Sequence, residues 1–128
     1  EWERAARGVE GRRYPWGSEE PDASRANYDD TKVGRATPVG LFPGGATPDG
    51  ICDMAGNVWE WVADWYGDYP KGKQRNSQGP AAGEIRVARG GGWDVGTWFL
   101  RGAGRSRNVP EYWYDYIGFR CTREVLFP

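Results

Sequence analysis

Between Gly50 and Tyr66 the sequence passes from turn chemistry to strict alternation, and that switch limits the possible folds more than any other stretch. In Gly50-Ile51-Cys52-Asp53-Met54-Ala55-Gly56-Asn57, the residues Gly50, Gly56 and Asn57 all tolerate positive φ, which a closely folded backbone needs. From there Trp59, Trp61, Ala63 and Trp65 alternate with Val58, Glu60, Val62 and Asp64, the period of a β-strand. Tryptophans gathered on one face carry a large apolar area, so this strand is expected to anchor the core. Asp53, Asn57, Glu60 and Asp64 crowd the same segment with oxygen donors. The plain reading of Glu60 and Asp64 is the exposed face of the strand.

Length and composition set the frame. A chain of 128 residues predicts one domain. Hydrophobic content is 38% but the aromatic share is 15%, so a few large side chains must build the interior. Gly 20 and Pro 9 argue for many turns and against a helical bundle. A net charge of −1 gives no bias toward nucleic acid, and no apolar run approaches the roughly 20 residues that span a bilayer. Histidine is absent, which removes imidazole metal sites and the Ser/His/Asp triad. Cys52 and Cys121 are the two cysteines, and the sequence allows either one disulfide or two free thiols.

Along the chain, Glu1-Trp2-Glu3-Arg4-Ala5-Ala6-Arg7-Gly8 reads as the last turns of a helix closed by Gly8. No capping residue opens it, so part of the pattern is expected to precede Glu1. Tyr14-Pro15-Trp16-Gly17 turns the chain. Asn27-Tyr28-Asp29-Asp30 is a solvated turn or a cation site. Thr37 to Pro43 reads as an edge strand or extended piece, and Gly67 to Glu84 as a long surface loop. Within that loop Lys71-Gly72-Lys73-Gln74-Arg75 is a basic stretch. Arg86-Val87-Ala88-Arg89 restarts a strand and enters Gly90-Gly91-Gly92-Trp93. Asp94 to Tyr116 holds Trp98, Phe99, Tyr112, Trp113, Tyr114 and Tyr116 with no helical or strand period, the composition of a recognition surface or of irregular core. Ile117 to Val125 alternates as a closing strand with Ile117, Phe119 and Cys121 on one face.

Taken in order, Glu1 to Gly8, Tyr14 to Gly17, Ala26-Asn27, Pro38-Val39-Gly40, Asp53 to Trp61, Asp64-Trp65-Tyr66, Arg86 to Trp93 and Ile117-Gly118-Phe119-Arg120 resemble the formylglycine-generating enzyme (sulfatase-modifying factor) family. The resemblance implies an α+β, C-type lectin-like fold that is irregular and loop-rich, with short antiparallel sheets and few helices. It implies one domain over residues 1–128, with the N-terminal part of the family domain absent. Two calcium sites come with it: one at Asn27, the Tyr28 carbonyl and Asp30, the other at Asp53, the Gly56 and Val58 carbonyls and Glu60. The family's copper-binding cysteine pair has no counterpart in Asp94 to Leu100, so copper is not expected. Cys121 matches a position that in relatives pairs with a cysteine of the absent part.

A second resemblance is to the variable proteins of diversity-generating retroelements, which share this fold and vary between a Gly-Gly-Ser/Gly-Trp motif and Ile-Gly-Phe-Arg. Adenine-directed mutagenesis of asparagine codons reaches every occupant of Asp94, Val95, Gly96, Phe99, Gly104, Ser106, Val109, Tyr112, Tyr114, Asp115 and Tyr116. Trp93, Trp98, Leu100, Arg101, Pro110, Glu111 and Trp113 stand between them as fixed scaffold. The resemblance implies a ligand-binding region over about residues 93–120 that meets a protein or other macromolecule. It also implies an extracellular, cell-surface or virion-surface setting. The alternatives are a formylglycine-generating oxidase-like enzyme, an accessory domain of one, or a regulatory domain attached to a larger protein such as a kinase.

Overall fold

The computed structural model describes residues 1–72, 77 and 79–123. Regular structure is sparse, as the glycine and proline content requires. A short helix α1 (Trp2–Arg7) is followed by strands β1 (Trp59–Trp65), β2 (Arg86–Arg89), β3 (Ser106–Asn108) and β4 (Ile117–Gly118). Single 3-10 turns occur at Asp29–Thr31, Pro43–Gly45 and Thr97–Leu100. The helix ends where the sequence ends it: Gly8 takes φ 63, and its N–H donates to the Arg4 carbonyl at 2.9 Å. Tyr14 and Gly17 close their turn with reciprocal backbone bonds, and the Tyr14 and Trp16 rings stack at 5.2 Å.

The four strands form one sheet in the order β3-β2-β1-β4. β1 runs antiparallel to β2 and β2 antiparallel to β3, while β4 lies parallel to β1. The sheet is therefore mixed, not purely antiparallel as expected. Two antiparallel steps already leave β3 parallel to β1, and residues 109–116 carry the chain to the far edge of the sheet, where β4 enters in that same direction.

The core differs from the expected one. The tryptophans of β1 do not form a uniformly buried face: Trp59 is buried, while Trp61 and Trp65 are only half-buried. The packed interior lies beside the sheet, where Tyr14, Ala26, Tyr28, Ala55 and Leu100 cluster and Trp16 rests against them. Glu60, expected on the exposed face, is 6% exposed because Arg120 reaches it from beyond β4. The sheet is too narrow to cover both ends of β1, so its distal half (Ala63 and Asp64) is open to solvent. Thr37 to Pro43 joins no strand, with Val39 and Leu41 exposed. The closing strand is only two residues long in the described part: Phe119 is 75% exposed, and Cys121 is exposed as a free thiol. Glu124 and Val125 lie outside the described residues, as do Lys73, Gln74 and Arg75 of the basic stretch.

The turn before β1 holds the loops together. Asn57 adopts φ 67, which frees both its main chain and its amide to bond outward. Its N–H donates to the Asn27 carbonyl at 2.7 Å, and its carbonyl accepts the Trp93 N–H at 2.9 Å. Its Oδ1 accepts the Thr37 N–H at 2.8 Å, and its Nδ2 donates to the Thr37 carbonyl at 3.2 Å. Gly56 beside it must be glycine, since a Cβ there would stand 2.4 Å from the Asn27 carbonyl oxygen at φ 78.

Candidate functional site: a clamped aromatic segment

The segment from Trp93 to Tyr116 leaves and rejoins the sheet at neighbouring points. It departs where the Asn57 carbonyl accepts Trp93, and returns where the Trp59 N–H donates to the Tyr116 carbonyl at 2.8 Å. Between these ends the backbone is fastened repeatedly. The Val95 carbonyl accepts Asp29 N–H at 3.1 Å, and Gly102 N–H donates to the Arg13 carbonyl at 2.9 Å. Leu100 is 0% exposed and drives the 3-10 turn into the core, and β3 pairs with β2. The absence of a period in this sequence is thereby explained: successive side chains are set by separate anchors, not by one element.

Its large side chains stay outside. Trp98 is 66% exposed, Phe99 46%, Trp113 84% and Tyr114 56%. Tyr112, Tyr114 and Tyr116 form a three-ring group, with Tyr114 stacked on Tyr112 at 5.2 Å and on Tyr116 at 5.1 Å. The hydroxyls of Tyr112 and Tyr116 hydrogen-bond to each other. Trp93 meets Tyr116 edge-on at 6.4 Å, and Phe99 meets Trp59 edge-on at 6.0 Å, so both exposed groups rest on buried or half-buried rings. A cavity of about 160 Å³ opens between this group and the sheet, lined by Trp59, Ala88, Ser106, Arg107, Asn108, Tyr112, Tyr116 and Ile117. It is too small for a drug-sized ligand and suits a single inserted side chain.

Electrostatics single out two groups. The Tyr112 hydroxyl bonded to Tyr116 and partial burial push the Tyr116 phenol up to about 12. Burial, together with the Asp115 and Asp29 carboxylates, raises Asp94 above its ordinary value.

The structure brings most of the sequence-nominated binding residues to this surface. Asp94, Gly96, Phe99, Val109, Tyr114 and Asp115 are exposed, and Val95, Ser106, Tyr112 and Tyr116 are half-buried. Gly104 is different. Its carbonyl accepts Arg89 Nη1 at 3.0 Å and a Cβ would lie 3.0 Å from the Arg101 carbonyl oxygen, so it belongs to the frame. Trp98 and Trp113 are placed opposite to expectation: read as scaffold, they are the most exposed tryptophans. Codon reachability sorts residues by mutability, which says nothing about exposure. The Arg101 guanidinium lies 3.8 Å from the centroid of the Trp98 ring, a cation–π contact.

The two oxygen clusters close on partners from the protein. Glu60 accepts Arg120 Nη2 at 2.5 Å and Nε at 2.7 Å, and the Trp2 indole N–H at 2.5 Å. Arg120 Nη2 also donates to the Cys52 and Asp53 carbonyls at 3.2 and 3.1 Å. A guanidinium thus already stands as the cation between Glu60 and the turn. The Asp53 carboxylate points elsewhere and accepts the Gly40 N–H at 2.6 Å. At the other cluster the Thr31 hydroxyl bonds both Asn27 Oδ1 and the Tyr28 carbonyl, and Asp30 is exposed. Placed this way, the residues do not fit a calcium ion. Among the described residues no three Asp, Glu, Cys or His side chains gather as metal ligands, and no helix is long and apolar enough to cross a membrane.

Comparison with known proteins agrees with this architecture. A family model described as the sulfatase-modifying factor enzyme 1-like domain matches residues 1–125. The serine/threonine-protein kinase pkn1 of Chlamydia caviae is 46% identical over 98% of this chain and 20% of its own length. The hercynine oxygenase of Mycobacterium tuberculosis is 38% identical over 98% of this chain and 31% of its own length. Treponema denticola variable protein 1 superimposes with a TM-score of 0.81 at 29% identity, over 93% of this chain and 43% of that one. The chain therefore spans a third or less of the curated relatives named here.

Proposed function

This chain belongs to the sulfatase-modifying factor enzyme 1-like domain family, and from that premise we propose that it is a ligand-binding module with a C-type lectin-like fold, its aromatic surface diversified as in a retroelement variable protein. One observation carries the reading: large aromatic side chains stay exposed on a segment whose backbone is clamped at both ends. Exposing tryptophan and tyrosine forgoes burial, about 25 cal/mol for each Å² of apolar surface, which binding a partner recovers. Rigid rings on an anchored backbone lose little entropy on contact. Asp94, Val95, Gly96, Phe99, Val109, Tyr112, Tyr114, Asp115 and Tyr116 supply the variable contacts, with Trp98 and Trp113 as fixed ones. The ligand is a protein or another macromolecule with a protruding group for the cavity beneath Tyr112.

The gene neighbourhood tests this. The expected finding is a template repeat matching the codons for residues 94–116, with adenines at the variable positions, beside a reverse transcriptase gene. A locus lacking both would overturn the diversification. Conversion of a cysteine-containing sulfatase peptide to formylglycine by the purified protein with copper(I) would overturn a role in binding alone.

The identity with the chlamydial kinase favours a second reading, a regulatory domain within a larger polypeptide. A kinase domain in the same open reading frame would support it. In that setting the same aromatic surface would serve as the sensor.

A further inference from the structure

A different face of β3 carries a second surface. Alternation puts Arg105 and Arg107 on one side of the chain path and Ser106 and Asn108 on the other. The two arginines meet tyrosines that follow β1. The Arg105 guanidinium lies 3.9 Å from the Tyr69 ring centroid and 4.8 Å from that of Tyr66, and the Arg107 guanidinium lies 4.6 Å from Tyr66. Two like charges therefore stack against one ring. Neither is in an ion pair among the described residues, although seven such pairs are formed elsewhere in the molecule. Asp64 and Asp68 lie in the adjoining cleft with Arg105 without pairing with it. Stacking occupies the guanidinium faces and leaves N–H groups in the plane, the geometry that binds a carboxylate with two parallel bonds. Arg105 is fixed by a 3.2 Å bond from its Nη1 to the Gly67 carbonyl, and Tyr69 is 66% exposed.

The strand itself indicates the shape of the partner. β3 is an edge of the sheet and has no strand on its outer side among the described residues. Its same-face side chains recur about every 6.8 Å, the interval at which an extended peptide repeats its own. Charged residues on an edge repel neutral strands and admit a complementary one.

We propose that the face of β3 bearing Arg105 and Arg107, with Tyr66 and Tyr69 beside them, docks an extended acidic peptide segment of a partner protein. This surface adjoins the aromatic ligand face, since Arg107 also borders the cavity beneath Tyr112, whereas Arg105 does not, and either can fail without the other.

The test uses the full chain and an octaglutamate peptide, with binding followed by calorimetry at low and high salt. The expected result is salt-sensitive binding that Arg105→Gln/Arg107→Gln weakens by at least about tenfold at an unchanged melting temperature. Arg105→Lys/Arg107→Lys keeps the charge but not the planar fork, and should weaken it severalfold. If the double glutamine variant melts early, Arg107→Gln alone carries the test, because that side chain is exposed and makes no hydrogen bond among the described residues. No binding at low salt, or equal binding by the glutamine variants, would overturn the proposal. Tighter capture of a sulfated oligosaccharide or an oligonucleotide through the same arginines would also overturn it, replacing the peptide with that polymer.

Discussion

Arg120 and Glu60 show how one side chain far along the chain can change the meaning of another. Glu60 sits in a strand whose alternation points it outward, among carboxylates that invite a cation. The cation it meets is a guanidinium from beyond β4, which closes a two-point ion pair and also bonds the turn at Cys52 and Asp53. Glu60 is the buried partner, so Arg120→Met would leave an uncompensated charge. The expected loss is roughly 3–5 kcal/mol in urea unfolding. Chelation provides the complementary measurement. With the guanidinium in place, excess EGTA is expected to leave the melting temperature unchanged, and a fall of several degrees would show that calcium takes its position. Nothing local in Asp53 to Glu60 separates these outcomes, because the deciding residue is distant in sequence. Its position in the Ile117-Gly118-Phe119-Arg120 motif was the only available signal.

Among the elements, α1 shows what a six-residue helix needs in order to persist. It is too short to be stable alone and lacks a side-chain cap, so its order comes from tertiary ties. Trp2 reaches Glu60 in β1, and Glu3 bridges Arg7 at 2.6 Å and Arg89 of β2 at 2.9 Å. Burial pushes the Glu3 carboxyl up, but the two arginines outweigh it and hold it below its ordinary value of 4.5. A lowered folded-state value gives stability that is present above 4.5 and is lost as pH falls through the lowered value. Melting from pH 7 down to pH 3 should therefore drop less steeply in Glu3→Gln than in the parent chain; parallel curves would show that the bridge contributes nothing. The helix was readable because its pattern is local, with an apolar stripe and a closing glycine. The buried face of β1 was not, since burial there depends on how far β2 and β4 extend along it. The closing strand is shorter than its alternation: pairing stops at Gly118, although β1 itself runs on to Trp65.

At the scale of the molecule, the segment from Trp93 to Tyr116 was legible as a candidate surface by composition but not by geometry. Tyrosine and aspartate without a period allowed either a recognition surface or irregular core, and the array of Tyr112, Tyr114 and Tyr116, with Tyr114 exposed, accords with the first. The roles of Trp98, Trp113 and Gly104 depended on packing that only the folded chain reveals. Because Trp98 and Trp113 cover little of the interior, replacing either by alanine should change stability by no more than about 0.5 kcal/mol while reducing binding of a hydrophobic dye. A larger loss in urea unfolding would place them in the core after all. The two clamps have a further meaning. Since Asn57 receives the start of the segment and Trp59 its end, residues 94–115 form a closed excursion whose termini are set by one short piece of main chain. A foreign excursion needs to supply the Trp93 N–H, the Tyr116 carbonyl, a residue to fill the place of Leu100 and a strand to pair with β2 in place of β3. The fold is in this sense a socket, which predicts that residues 94–115 can be exchanged between relatives as a single part.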